Sequence, residues 1–112
     1  MNHTVHLRIP AEPMYISVVR LTASSLASSL GFDIEEVEDI RVCVSEACNN
    51  VMDRLEDISL RFGVEENALT IDVDGFSNPS SEQGKLGYLI MLSLMDVVQE
   101  TEQGIHMIKA KE

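Results

Sequence analysis

The chain has 112 residues, 45% of them hydrophobic, with 19 acidic side chains against 8 basic ones and a net charge of −11. This length predicts one domain over residues 1–112, with enough aliphatic side chains for a hydrophobic core. Without a sustained basic stripe, direct nucleic-acid binding is not expected, and the acidic surface suits either a basic protein partner or solubility alone.

The first half of the chain predicts a strand followed by two helices. Hydrophobic residues alternate over residues 5–9, and Pro10 ends this strand. Residues 12–30 form a helical stretch that is rich in small side chains. Asp33, followed three residues later by Glu36, has the spacing of a capping box and predicts the start of a second helix.

Both cysteines fall in this second helix, which is expected to run to about Arg54. Cys43 and Cys48 are five residues apart, so their side chains point roughly 140° apart on a helix. This geometry argues against a shared metal ion or a disulfide and favours reduced thiols in the core. No segment reaches transmembrane length, and residues 1–10 lack the apolar run of a signal peptide. We therefore expect a cytoplasmic protein that has no contact with a membrane.

The second half of the chain predicts a hairpin, a loop, a third helix and a second hairpin. Hydrophobic residues alternate over residues 58–64 and 69–73, on either side of a turn. Residues 74–84 contain the Gly, Ser, Asn and Pro typical of a loop. A helix is expected over residues 86–95 and two strands over residues 97–108. Helix pairs and hairpins without a βαβ alternation predict an α+β two-layer sandwich.

The most informative stretch lies in the second helix. Glu46 and Asn50 are four residues apart, which places them on one face of the helix, away from the apolar stripe. A carboxylate can activate a nucleophile or a water molecule, and an Asn carbonyl oxygen is a ligand suited to magnesium. The pair fits phosphoryl transfer, but most such pairs are solvated helix surface.

Two further segments could contact a phosphorylated ligand. Gly84-Lys85-Leu86-Gly87 stands before the expected third helix, where glycines let backbone N–H groups approach an anion and Lys85 could add positive charge. The alternative is an ordinary glycine-containing loop. Asp74-Gly75 ends a strand, and its carboxylate could accept a hydrogen bond from an adenine amino group, but Asp-Gly is also a common turn.

Several segments in the same order resemble the bacterial anti-sigma-factor serine kinases, within the Bergerat-fold (GHKL) ATPases. They are Ile9-Pro10-Ala11, Val19-Arg20-Leu21-Thr22, Glu38-Asp39-Ile40, Val44-Ser45-Glu46-Ala47-Cys48, Asn50, Arg61-Phe62-Gly63-Val64, Leu86-Gly87 and Leu94-Met95-Asp96. The likeness covers nearly the whole chain, and the conjunction is far more specific than any single motif. It implies a two-layer sandwich in which a mixed sheet carries helices on one face.

The resemblance also implies site residues and ligands. Glu46 matches the family's catalytic base, Asn50 its magnesium ligand, and Asp74 is the nearest candidate for the adenine-binding acid, with a register uncertain by one position. The implied cofactors are ATP and Mg²⁺, and the segment from Gly84 to Gly87 matches the glycine motif.

The resemblance further implies protein partners. Family members regulate transcription in stress and sporulation by binding a sigma factor and phosphorylating a serine of an anti-sigma-factor antagonist. Their first helix contributes to the partner surface, which makes Arg20 a candidate contact. Family members also tend to dimerise, so a homodimer is a further expectation.

The chain departs from the family at three places. Phe76 and Ser77 follow Asp74-Gly75 where the family has further small residues. The lid that should cover the triphosphate is largely deleted, because only residues 75–83 separate Asp74 from Gly84. The His and aromatic residues that follow the family's Asn are replaced over residues 52–55. Phosphoryl transfer depends on phosphate contacts and exclusion of water. The alternatives are therefore an active kinase, a catalytically inactive relative that acts as a protein-binding module, and an unrelated α+β regulatory domain.

Overall fold

The computed structural model describes residues 2–111 and places the secondary structure in the predicted order. The elements are β1 (His3–Pro10), a 3-10 turn (Pro13–Tyr15), α1 (Ile16–Ser29), α2 (Ile34–Met52), β2 (Asp57–Val64), β3 (Ala68–Asp74), α3 (Glu82–Leu94), β4 (Val97–Glu100) and β5 (Gly104–Ala110). Within residues 2–111, no helix combines the length and the hydrophobicity needed to cross a lipid bilayer.

The five strands form a single sheet in the order β1-β2-β3-β5-β4. Every neighbouring pair is antiparallel, which corrects the expectation of a mixed sheet. The reason lies in the connections. The helix pair α1–α2 returns the chain so that β2 runs opposite to β1, and β5 enters between β3 and β4, which run parallel but never become neighbours. The α+β two-layer sandwich is confirmed.

The core lies between the helices and one face of the sheet. In β2 and β3, buried side chains alternate with half-buried ones, as the sequence pattern predicts for strands that bury one face. The buried strand side chains are those of Ile58, Leu60, Phe62, Leu69, Ile71, Val73, Ile105 and Met107. The other face of the sheet carries mainly polar side chains, together with Val97 and Ile108, and no helix of residues 2–111 covers it.

The two cysteine thiols belong to this core. Cys43 and Cys48 are both buried and free, which confirms the prediction of reduced core thiols. Burial raises the pKa of the Cys48 thiol to about 12, and burial together with the neighbouring Asp39 carboxylate raises the pKa of Cys43 to about 12. Both thiols therefore stay protonated and unreactive at neutral pH.

Two side-chain caps determine where α2 and α3 begin. Asp33 Oδ1 accepts a hydrogen bond from the Glu36 N–H at 2.7 Å, and Glu36 Oε1 accepts one from the Asp33 N–H at 3.0 Å, so the capping box is confirmed. Ser81 Oγ accepts a hydrogen bond from the Gly84 N–H at 3.0 Å, and α3 begins at Glu82 rather than near residue 86. The whole Gly84–Gly87 segment thus lies within α3, not before it.

Candidate functional site

A cavity of about 600 Å³ opens between the second half of α2, the loop of residues 75–81 and the first half of α3. This volume lies within the usual range of small-molecule sites. The lining residues are Glu46, Asn49, Asn50, Met52, Asp53, Arg54, Phe76, Ser77, Asn78, Pro79, Ser80, Ser81, Gln83, Gly84, Gly87, Tyr88 and Met91. The structure therefore brings Glu46, Asn50, Gly84 and Gly87 together, as the sequence predicts.

Glu46 reaches the cavity past a glycine of α3. Gly87 is buried, and a Cβ built on it would lie 2.7 Å from Glu46 Oε2. Only a glycine at this position leaves room for the carboxylate between the two helices. The carboxylate is half-buried, and no other residue in the range 2–111 donates a hydrogen bond to it. It is therefore available to accept a proton from a bound group.

Asn50 ties α2 to the loop that follows β3. Its Nδ2 donates to the Ser77 carbonyl oxygen at 2.9 Å, and its Oδ1 accepts from the Ser77 N–H at 3.1 Å. The same Oδ1 accepts a hydrogen bond from Arg54 Nη2 at 2.8 Å. A carbonyl oxygen has two lone pairs, and both are used here. In this arrangement Asn50 holds the loop and an arginine, and it does not fit the role of a magnesium ligand.

The glycines of α3 line the cavity for reasons of packing. A Cβ on Gly84 would lie 2.8 Å from Pro79 Cβ, so the loop can fold back against the helix only at a glycine. The Gly84 N–H is already bonded to the Ser81 hydroxyl and is not free for a phosphate. Lys85 and Leu86 are exposed on the outer side of α3 and do not line the cavity. The predicted phosphate cradle is thereby reduced to one wall of the cavity.

Asp74 and Gly75 lie at the end of β3 but outside the cavity lining. Strand alternation directs Val73 into the core and Asp74 onto the open face of the sheet, where Arg61 Nη1 donates to its carboxylate at 3.1 Å. Gly75 adopts a left-handed conformation with φ of 86°, and a Cβ there would lie 2.6 Å from Leu55 Cδ1. The structure thus separates Asp74 from Glu46 and Asn50, and its predicted contact with adenine has no support from this geometry.

Other lining residues gave weaker signals in the sequence. The rings of Phe76 and Tyr88 lie 5.9 Å apart at a tilt of 31° and form an aromatic part of the wall. Tyr88 directly follows the Gly84–Gly87 segment in the sequence, whereas Phe76 stands in the sequence only as a departure from the family pattern. Arg54 is such a departure too, although its spacing of four residues from Asn50 on a helix predicts contact.

Arg20 does not line the cavity. It lies on α1, half-buried, and its Nε is buried without a hydrogen-bond partner among residues 2–111. Two apolar side chains near it in sequence are strongly exposed: Met14 at 71% and Leu21 at 69%. The side of the molecule formed by α1 is thus distinct from the cavity between α2 and α3.

The chain resembles known proteins over most of its length. Residues 9–109 match the model of the histidine kinase-like ATPase domain. The chain is 33% identical to the serine-protein kinase RsbW of Bacillus subtilis (strain 168), in an alignment that covers 85% of this chain and 76% of the relative. It is 35% identical to the RsbW of Bacillus pumilus (strain SAFR-032), with coverage of 97% and 76%. The chain therefore belongs to the histidine kinase-like ATPase family, in the group that contains the serine-protein kinase RsbW.

Proposed function

We propose that this protein is a single-domain regulator of bacterial transcription that binds ATP in the cavity between α2 and α3. In this proposal it acts as a serine-protein kinase and anti-sigma factor. The observation that carries it is the Glu46 carboxylate, which faces the cavity beside Gly87 without a hydrogen-bond partner among residues 2–111. Family membership supplies the reaction class, because the relatives are named serine-protein kinases.

Glu46 is proposed as the general base. In phosphoryl transfer to a protein, a serine hydroxyl attacks the terminal phosphorus of ATP, ADP leaves, and the hydroxyl proton passes to a carboxylate. Phe76 and Tyr88 supply aromatic surface for a nucleobase in the same cavity. Asn50 Oδ1 takes no part in this proposal as a magnesium ligand, because both of its lone pairs already accept hydrogen bonds.

The proposed partners are a sigma factor and an antagonist of the anti-sigma factor, and both are expected to use the α1 side. The support is the resemblance through Arg20, together with the exposed side chains of Met14 and Leu21 on the same part of the chain. Exposed apolar side chains beside an arginine are common in the centres of protein interfaces. A homodimer is part of the same proposal.

A second candidate function is a protein-binding module that does not transfer phosphate. The specific observation in its favour is the hydrogen bond from Arg54 to Asn50 Oδ1, which occupies the oxygen that would otherwise bind a metal ion. The short loop of residues 75–81 also leaves little chain to cover a triphosphate. This second function would use the same proposed partner surface on α1 as the first.

One experiment distinguishes the two functions. Thermal unfolding is followed with increasing ATP, where a ligand at 100 times its Kd stabilises the folded state by about 2.7 kcal/mol. Phosphate transfer to a serine of a cognate antagonist is then measured for the wild type, for Glu46→Gln and for Glu38→Gln, an exposed acid of α2 outside the cavity. The kinase is supported if ATP stabilises the protein and phosphate transfer is lost in Glu46→Gln but kept in the wild type and in Glu38→Gln. Stabilisation without transfer supports the binding module, and the absence of stabilisation overturns nucleotide binding.

A further inference from the structure

We propose that Arg54 supplies the positive charge that a divalent metal ion would bring to Asn50, so that the cavity binds the phosphates of a nucleoside di- or triphosphate without a metal. This inference rests on the proposed binding of a nucleotide between α2 and α3. It concerns a residue of this chain that stands in a segment, residues 52–55, where the family pattern is not kept.

The Arg54 guanidinium is anchored at one end only. Nη2 donates to Asn50 Oδ1 at 2.8 Å and to the Asn50 carbonyl oxygen at 3.1 Å, which uses both hydrogens of that nitrogen. The backbone N–H of Arg54 donates to the Val51 carbonyl at 3.1 Å and so continues the turn beyond the end of α2. A cation is favoured at this end of a helix by the dipole. The donors on Nε and Nη1 are left for another group.

Asn50 Oδ1 has no capacity for a metal ion while this contact exists. Magnesium requires near-octahedral oxygen coordination, usually with at least one carboxylate. Within residues 2–111, no group of three His, Cys, Asp or Glu side chains is placed to hold a metal ion. A divalent ion at Asn50 Oδ1 would also be repelled by the guanidinium that already occupies the oxygen. The residues present therefore fit an arginine at this position better than they fit magnesium.

Arg54 is the one positively charged side chain among the described residues that line the cavity. Two of these lining residues, Glu46 and Asp53, are acidic. Arg54 forms no ion pair with a carboxylate within residues 2–111. The guanidinium of this exposed residue can donate single hydrogen bonds from Nη1 and Nε to phosphate oxygens, since Nη2, which each bidentate pairing needs, is already bonded to Asn50. The opposite wall is the start of α3, where the Gly84 N–H is already bonded to the Ser81 hydroxyl and Glu82 adds a negative charge, so Arg54 is the group that can supply positive charge to an anion.

The test measures nucleotide affinity with and without metal. ATP and ADP are titrated calorimetrically into the wild-type protein in excess EDTA and again in excess Mg²⁺, after correction for the metal bound by free nucleotide. We expect equal affinity in the two conditions. Arg54→Gln should lose about tenfold in affinity in EDTA, equivalent to about 1.4 kcal/mol. Arg54→Lys should recover part of the lost affinity. Arg8→Gln, which removes an exposed charge from β1, should leave the nucleotide affinity unchanged.

A second readout uses the oxygen that the substitution releases. In Arg54→Gln, Asn50 Oδ1 no longer carries a cation, so Mg²⁺ should now strengthen ATP binding. Wild-type binding that requires Mg²⁺ would overturn the inference and leave the proposed nucleotide site standing. Arg54→Gln with wild-type affinity in EDTA would also overturn it. An absence of binding in both conditions would overturn the inference and the proposed nucleotide site together. Unfolding curves of each variant establish that the compared proteins are folded.

Discussion

Glu46 Oε2 and Gly87 lie so close that a Cβ at position 87 would stand 2.7 Å from the carboxylate oxygen. The two residues come from α2 and α3, and their contact brings the acid to the cavity between these helices. The glycine is thus needed for the position of a side chain and not for a backbone conformation, since its φ is not positive.

Gly87→Ala is expected to separate activity from stability. The atom that must move is the flexible end of Glu46, and alanine has a higher helix propensity than glycine, so the free energy of unfolding should stay the same or rise by up to about 1 kcal/mol. Phosphate transfer should fall, because the displaced carboxylate no longer meets the serine hydroxyl. Denaturant unfolding and transfer from labelled ATP measure the two effects.

A matched variant is available one turn earlier on α3. Gly84→Ala would place its Cβ 2.8 Å from Pro79, a ring that cannot swing away, and should therefore destabilise the fold. If Gly87→Ala kept full transfer, or if it destabilised the protein as Gly84→Ala does, the stated role of the Glu46–Gly87 contact would be wrong.

Asn50→Ala is expected to release the loop of residues 75–81. The substitution removes both hydrogen bonds to the Ser77 backbone, and the free energy of unfolding should fall by about 1–2 kcal/mol. The loop should become more sensitive to limited proteolysis between residues 76 and 80, which mass spectrometry of the fragments would locate. Asn49→Ala is the control, since Asn49 is exposed on the same helix. Equal proteolysis of the two variants would show that Asn50 does not hold the loop.

Arg20→Gln tests the partner surface on α1. Arg20→Gln removes the charge and keeps a polar amide, whereas Arg20→Glu would place a carboxylate at a partly buried position and could unfold the protein. We expect affinity for a cognate sigma factor or antagonist to fall about tenfold, as for an arginine at the centre of an interface. Nucleotide affinity should be unchanged, because Arg20 does not line the cavity. Surface plasmon resonance measures the partner affinity, and calorimetry measures the nucleotide affinity. Unaltered partner affinity, with Arg8→Gln as the reference, would remove Arg20 from the interface.

The sequence predicts those features that depend on neighbouring residues. The capping box of Asp33 and Glu36, the alternation in β2 and β3, and the shared face of Glu46 and Asn50 all follow from local spacing. The predicted start of α3 near residue 86 is wrong, because glycine is a poor helix former and the capping Ser81 stands in a stretch with the composition of a loop.

The remaining features depend on contacts distant in sequence. One residue of register decides which face of a strand a side chain takes, so the exposure of Asp74 on the open face could not be known from its position near the strand end. The bonds from Asn50 to Ser77 join residues 27 apart and follow only from the packed fold. The antiparallel sheet likewise depends on where β5 inserts, which no local pattern specifies.

The buried thiols predict a loss of stability at alkaline pH. The pKa of Cys43 and of Cys48 is about 12 in the folded state against 9.0 for a free thiol, so between these values the unfolded chain releases two protons that the folded chain keeps. The stabilisation is complete below pH 9 and is lost as the pH rises towards 12. Each thiol contributes a decrease of about 1.4 kcal/mol per pH unit in the free energy of unfolding.

Urea unfolding at a series of pH values from 8 to 11 would measure this decrease. Other groups titrate in the same range, so the comparison is made with Cys43→Ala and Cys48→Ala, each of which should flatten the slope by the share of one thiol. Reaction with a thiol reagent at pH 8 gives an independent check, because both thiols should react only at the rate of unfolding. Rapid labelling of the folded protein, or a slope that both substitutions leave unchanged, would contradict the burial of these side chains.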